Sequence, residues 1–258
     1  VKVQYPGVAD SIDADIGTLK TLLTPFAPRG LFISTALAEL RHAMKDECDY
    51  LREARMTTRM GELLKGDATF GVPTVIEELS GRKVLTTTMV DGVPIDQVST
   101  MDQTTRNHVA RGMLSLTLRE LFELHTMQTD PNWSNFLYDK ATGKINLIDF
   151  GACVEYPEEF CTDYGRLVAA SAAENKAEVL AVSRKMGFLT GEETGEFLDA
   201  HAAAACITGE PFRGGVYDFG TCEMTQRNST HITVMLAGRK TPPPRPPPRG
   251  AKSRATLI

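Results

Sequence analysis

Apolar residues recur at helical spacing through Leu37, Leu40, Met44, Leu51, Met56, Met60, Leu63 and Leu64, and Gly66 closes the run. That period predicts one long helix or a pair of helices between about residues 31 and 64. Ahead of it, Val1, Val3 and Tyr5 alternate with Lys2 and Gln4 until Pro6-Gly7, the pattern of a strand end that carries a lysine. Two short apolar runs, 72–79 and 84–90, are joined by Ser80-Gly81-Arg82 and read as a β-hairpin, after which Asp91-Gly92 turns the chain. Between Met101 and Met127, the residues Val109, Met113, Leu116, Leu121 and Leu124 give one face of a buried helix. Two strands, about 135–138 and 144–148, and four helices, about 162–173, 176–186, 192–206 and 221–236, complete the pattern.

The succession predicts an α+β protein: a small strand-containing lobe over 1–90 with a long helical insertion, a mainly helical lobe over 91–239, and a tail over 240–258. Two lobes of this kind, a protein-kinase-like plan, would hold a nucleotide between them, with the backbone of Thr87, Thr88, Met89 and Val90 as the hinge facing an adenine edge. From Lys240 the periodicity ends. Six prolines and only basic charges predict a disordered or polyproline II tail, in which Pro244, Pro247 and Arg249 match the P-x-x-P-x-R spacing of an SH3 ligand. An unselected tail is the blander reading.

Composition narrows the function classes. The chain has 258 residues, 42% hydrophobic, with a net charge of -5 and dispersed basic residues, which excludes a nucleic-acid footprint. Five cysteines without a C-x-x-C pair point to reduced thiols rather than a disulfide framework. No apolar run reaches eighteen residues, so no spanning helix is expected over this stretch. The opening residue is Val1, and the strand it begins is expected to be cut from a longer chain, with any targeting segment upstream.

The chemistry concentrates in residues 128–151, QTDPNWSNFLYDKATGKINLIDFG. Asp130 precedes Asn135 by five positions, and Asn135 precedes Asp149 of an Asp-Phe-Gly by fourteen, with a strand-like alternation between them. This is the D-x-x-x-x-N, strand, D-F-G order of a kinase phosphoryl-transfer site. Asp130 would orient or deprotonate the attacking group, while Asn135 and Asp149 would hold Mg²⁺ against nucleotide phosphates. A second Asp218-Phe219-Gly220 has no such loop upstream and is expected to be structural. Thr129 stands where peptide-directed kinases carry arginine, and only about ten residues separate Gly151 from the next helix, with no A-P-E string. These features favour ATPase action, or transfer to a small molecule or lipid, over protein phosphorylation.

The strings VKVQYPGV, ECDYLREA, LHTMQTDPNWSNF and INLIDFGA occur in an order that resembles the UbiB or aarF-domain atypical kinases, in particular the mitochondrial branch that supports coenzyme Q biosynthesis, over about residues 1–237. The resemblance implies a mitochondrial location, membrane-associated rather than spanning, and a coenzyme Q biosynthetic complex, with a membrane lipid or quinone precursor, as partners. It also implies that Lys2 binds ATP phosphates, that Glu47 and Asp49 match the family's acidic pair, that Asp130 accepts the proton, that Asn135 and Asp149 ligate magnesium, and that Thr87 to Val90 form the hinge. Glu47 is taken as the partner of Lys2, with Glu53 the other candidate, since six positions apart they cannot share one face of a straight helix. The family's alanine-rich nucleotide loop and lysine-glutamine motif lie upstream of the VKVQYPGV strand and are not in this chain, so the smaller lobe is expected to be incomplete. A nucleotide-responsive scaffold without catalysis is the alternative function.

Overall fold

A computed structural model describes residues 1–26, 33–130 and 132–238. These form two compact units. The first holds Val1–Leu19 and Leu37–Tyr156, and the second holds the described residues of 20–36 and 157–238. The expected tail, with its SH3-type spacing, lies outside the described residues.

In the first unit, β1 (Lys2–Val3) pairs antiparallel with β3 (Val84–Leu85), Lys2 opposite Leu85. The helical run expected from 31 to 64 is a pair, α2 (Ile33–Glu47) and α3 (Tyr50–Leu63), parted at Cys48 and Asp49. Asp49 explains the restart: its side chain accepts the Arg52 amide at 3.0 Å and satisfies one of the orphan donors of a new helix. The expected 72–90 hairpin is mostly turns. A 3-10 turn occupies Glu77–Leu79, and pairing reduces to β3 and the bridges Val75 to Thr87 and Gly81 to Val84, because Ser80 takes its bonds with its hydroxyl, donating to Ile76 O and accepting from Thr86 N. A helix not expected from the sequence, α1 (Val8–Leu23), buries Ile12 and leaves most of its length exposed.

A four-stranded sheet, β2 (Phe70–Gly71), β7 (Ile145–Leu147), β6 (Phe136–Tyr138) and β4 (Val93–Pro94), carries the middle of the chain. It joins residues from both sides of the expected 90/91 boundary, since β2 pairs with β7. Against it lies α4 (Gln103–Phe122), capped by Asp102 through the Thr105 amide. Gly112 makes the approach close: an added Cβ would stand 2.6 Å from Ile145 Cδ1, whose end would have to turn aside. Met60, Phe70, Leu116, Ile145, Leu147 and Phe150 are the buried centre of this unit. Finally β5 (Thr126–Gln128) pairs antiparallel with β8 (Cys153–Glu155), which sets the loop after Gln128 beside the chain that follows Gly151.

The second unit is helical: α5 (Glu158–Ala172), α6 (Lys176–Lys185), α7 (Gly195–Gly209) and α8 (Met224–Gly238), close to the four helices expected. Asn175 and Thr194 cap α6 and α7. At Gly209 an added Cβ would lie 2.5 Å from the Ser171 carbonyl carbon, so α5 and α7 meet where no larger residue fits. The second Asp-Phe-Gly, between α7 and α8, is an exposed turn with Phe219 66% exposed.

Candidate functional site

Three elements bring ionic groups together in the first unit. The Lys2 ammonium, on β1, bonds both carboxylate oxygens of Glu53 at 2.8 and 2.9 Å and Asp149 Oδ2 at 3.0 Å. Glu53 is 2% exposed in the first turn of α3, a position at which a carboxylate costs several kcal/mol unless paired. Burial alone would depress the Lys2 pKa, but the bonds and charges of Glu53 and Asp149 outweigh it and hold the ammonium above its usual value. Burial pushes the Glu53 carboxyl up, a shift that the Lys2 bond opposes and the Asp149 charge adds to. The ammonium also lies 5.4 Å from the Tyr50 ring centroid.

The partner of Lys2 is thus Glu53, and the expectation of Glu47 is corrected. A straight helix was the premise, whereas the break at Cys48 and Asp49 leaves Glu47 as the last residue of α2, exposed on the rim of the same cavity. Gln4 fixes β1 to that break, its Nε2 donating to Cys48 O at 2.7 Å. Asp49 is the cap of α3.

The loop residues form a second connected set. Asn135 Nδ2 donates to Asp130 Oδ2 at 2.9 Å, and the Asn135 carbonyl accepts the Ile148 amide at 3.0 Å, next to Asp149. Asp149 Oδ1 accepts the Gly151 amide at 2.9 Å, and Phe150 behind it is 1% exposed. Sequence reasoning passed over Gln128, whose side chain bridges the loops: Nε2 donates to Asp149 O at 2.8 Å and Oε1 accepts the Asp130 amide at 3.2 Å. It also passed over Arg52, which donates to Gly151 O at 2.6 Å and to Cys153 O. The available signals were the place of Gln128 in the QTD string and the capping aspartate that starts α3. Thr129 donates to Ala152 O at 2.7 Å, so it tethers the loop and carries no charge into it.

A cavity of about 430 Å³ is lined by Lys2, Tyr50, Asp130, Asp149 and Gly151. The expected hinge does not line it. Thr88 N donates to Thr74 O at 2.8 Å, and Met89 is 92% exposed.

The donor set suits a magnesium nucleotide. The Asn135 amide gives its nitrogen to Asp130, which leaves Oδ1 as an acceptor, and Asp149 Oδ2 already faces a cation, the Lys2 ammonium. Both are hard oxygens. Among the described residues no group of three or more His, Cys, Asp and Glu side chains could hold a metal unaided. Such a site matches Mg²⁺, which keeps waters and shares its ligands between one or two carboxylates and phosphates. Asn135 and Asp149 would hold the ion and Lys2 the phosphates. The ion would offset charge that otherwise repels by roughly 4 kcal/mol per pair at 4 Å in a medium of effective dielectric 20.

Comparison with known proteins agrees with this geometry. Residues 1–183 match the ABC1 atypical kinase-like domain. The chain is 49% identical over 247 residues to "Atypical kinase COQ8B, mitochondrial" of Danio rerio, covering 95% of this chain and 40% of that protein. It is 39% identical over 249 residues to "Atypical kinase COQ8, mitochondrial" of Saccharomyces cerevisiae, covering 95% of this chain and 50% of that one. The chain therefore spans about half the length of the curated relatives it matches. Among solved structures, the Rv3197-erythromycin complex from Mycobacterium tuberculosis superposes with a TM-score of 0.65 at 21% identity, covering 91% of this chain and 65% of that one, a likeness of fold.

Proposed function

This chain belongs to the ABC1 atypical kinase-like family, and from that premise we propose that its first unit binds magnesium ATP and acts as the phosphoryl-transfer or ATPase site of a UbiB-type atypical kinase. The observation that carries the reading is the Lys2 ammonium held between Glu53 and Asp149 in a cavity that Asp130 also lines. Magnesium, when bound, neutralises phosphate charge and makes the phosphorus more open to attack. The chain's own residues do the rest. Lys2 binds phosphate oxygens, and Glu53 keeps the ammonium charged and aimed. Asp130, held by Asn135 and by its amide bond to Gln128, accepts the proton of the attacking hydroxyl or water.

The target is a small molecule, a lipid or water rather than a peptide. Thr129 supports this reading, since its hydroxyl is spent on Ala152 O and gives no charged group to pair with a phosphorylated segment. The closing stretch is short: β8 begins at Cys153 and α5 at Glu158. The relatives support a place in mitochondria, in the assembly that makes coenzyme Q. Among the described residues no helix is long and apolar enough to cross a membrane.

Thermal denaturation with ATP tests the nucleotide site. ATP with Mg²⁺ should raise the melting temperature, and ATP with EDTA should raise it far less. An equal rise in both would remove the magnesium set from the site.

A further inference from the structure

A second cavity of the first unit has a different character. It measures about 590 Å³ and lies between α4 and the 3-10 turns Ile95–Thr100 and Trp133–Asn135, a size that suits a small molecule. Val98, Met113, Leu114, Met127 and Phe136 make its walls apolar. Asp130 lines both this cavity and the one that holds Lys2. The phosphate-side groups and the apolar walls thus meet at one carboxylate.

One lining residue does not fit an apolar core. Glu120, on α4, is 3% exposed, and the only donor that the described residues offer it is the Gln128 amide at 3.4 Å, long for a hydrogen bond. A leucine would pack there without the cost of a buried acid. Burial pushes the carboxyl up to about 7, so near neutral pH a large share of it carries a proton and can donate. Glu120 and Asp130 are linked through Gln128, whose amide serves one and whose side-chain oxygen serves the other's amide. The basic lining residue, Arg106, is turned onto Gln103 Oε1 at 2.6 Å and Ser99 O at 3.5 Å. An anionic ligand would meet the acids Glu120 and Asp130, with Arg106 already bonded to Gln103 and Ser99.

We propose that this cavity binds a small neutral molecule with an apolar body and one hydroxyl, of the alkanol class. The hydroxyl oxygen accepts from Glu120, its hydrogen is directed to Asp130, and the body lies against Val98, Met113, Leu114 and Met127. That this hydroxyl is the group acted upon rests on the function proposed above; the binding itself does not.

The chain carries its own reporter, because its single tryptophan, Trp133, lies on the cavity rim at 58% exposure. In the full chain at about pH 6.5, where Glu120 keeps its proton, octan-1-ol should change the Trp133 emission saturably, and octanoate should bind at least about tenfold more weakly. Glu120→Leu should weaken octan-1-ol about tenfold, the worth of one hydrogen bond to a buried acid, while Glu120→Gln retains a donor and most of the affinity. Thr117→Phe, at an exposed lining position, should block binding without touching the buried acid. An emission change that does not saturate, or that survives Thr117→Phe, or that is equal in Glu120→Leu, overturns the proposal. The Mg-ATP thermal shift on the same preparations reports the nucleotide site separately. Its loss with octan-1-ol binding intact would sink the phosphoryl-transfer reading and leave this cavity standing.

Discussion

Asp149 and Asp218 make the same turn: each accepts, through Oδ1, the amide of the glycine two residues on, at 2.9 and 2.8 Å. What differs is their company. Asp149 bonds Lys2 and precedes a phenylalanine that is 1% exposed, whereas Asp218 bonds only its neighbours Gly220 and Thr221 and precedes one that is 66% exposed. A tripeptide sets a turn, and its surroundings set its chemistry. Asp149→Asn should therefore abolish the Mg-ATP thermal shift, and Asp218→Asn should leave it within error of the wild type. The reverse result would place the metal in the second unit.

Glu53 and Glu47 give a parallel test of the correction made at Lys2. Glu53→Gln removes the charge that holds the ammonium, and calorimetry should show ATP binding weakened about tenfold, the effect of one lost charge-assisted bond. Glu47→Gln should change affinity less than twofold. Equal losses would mean that α2 and α3 rearrange so that both acids reach the lysine.

The sequence made the 128–149 loop legible because its parts are local: Asp130 and Asn135 are five positions apart and bond directly, and Ile148 reaches back to Asn135 across one strand pair. Helices α4 to α8 were legible for the same reason, since a 3.6-residue period is a property of the segment alone. The lysine's partner was harder to read. It depends on where α2 stops, and a single capping side chain, Asp49, decided that against a continuous apolar stripe. The 72–90 segment misled in the same way, because the Ser80 hydroxyl takes bonds that a ladder would have used. Gln128 and Glu120 were harder still: their roles come from contacts with Asp149 and with a cavity wall, and the place of Gln128 beside Asp130 in the chain was the one hint of either.

Gln128 is expected to matter for stability as well as for positioning. Gln128→Ala would leave the Asp149 carbonyl and the Asp130 amide without the bonds they now have, at a cost of roughly 1 to 3 kcal/mol. Urea denaturation of the first-unit transition should move to lower denaturant by that amount. Turnover should fall further than nucleotide affinity, because Asp130 loses its anchor while Lys2 keeps both carboxylates. An unchanged denaturation midpoint would show the bridge to be incidental.

The buried acid on α4 gives stability a pH dependence of definite sign. Burial raises the folded-state pKa of Glu120 from 4.5 to about 7, so between those values the unfolded chain has released a proton that the folded chain still holds. Its contribution is therefore full below pH 4.5 and is lost as pH rises through 7. At about 1.4 kcal/mol per unit the loss by pH 8 is about 3 kcal/mol. Glu120→Gln should be more stable than wild type at pH 8 and close to it at pH 4.5. Parallel stability curves for the two proteins between pH 4.5 and 8 would contradict this.

Adjacent residues of α3 grip different parts of the chain, Glu53 the lysine of β1 and Arg52 the carbonyls of Gly151 and Cys153. One rod thus carries two latches: a movement of α3 as a body withdraws the glutamate and the arginine together. Aiming the ammonium and holding the aspartate's loop are therefore tasks that this short helix performs in one placement.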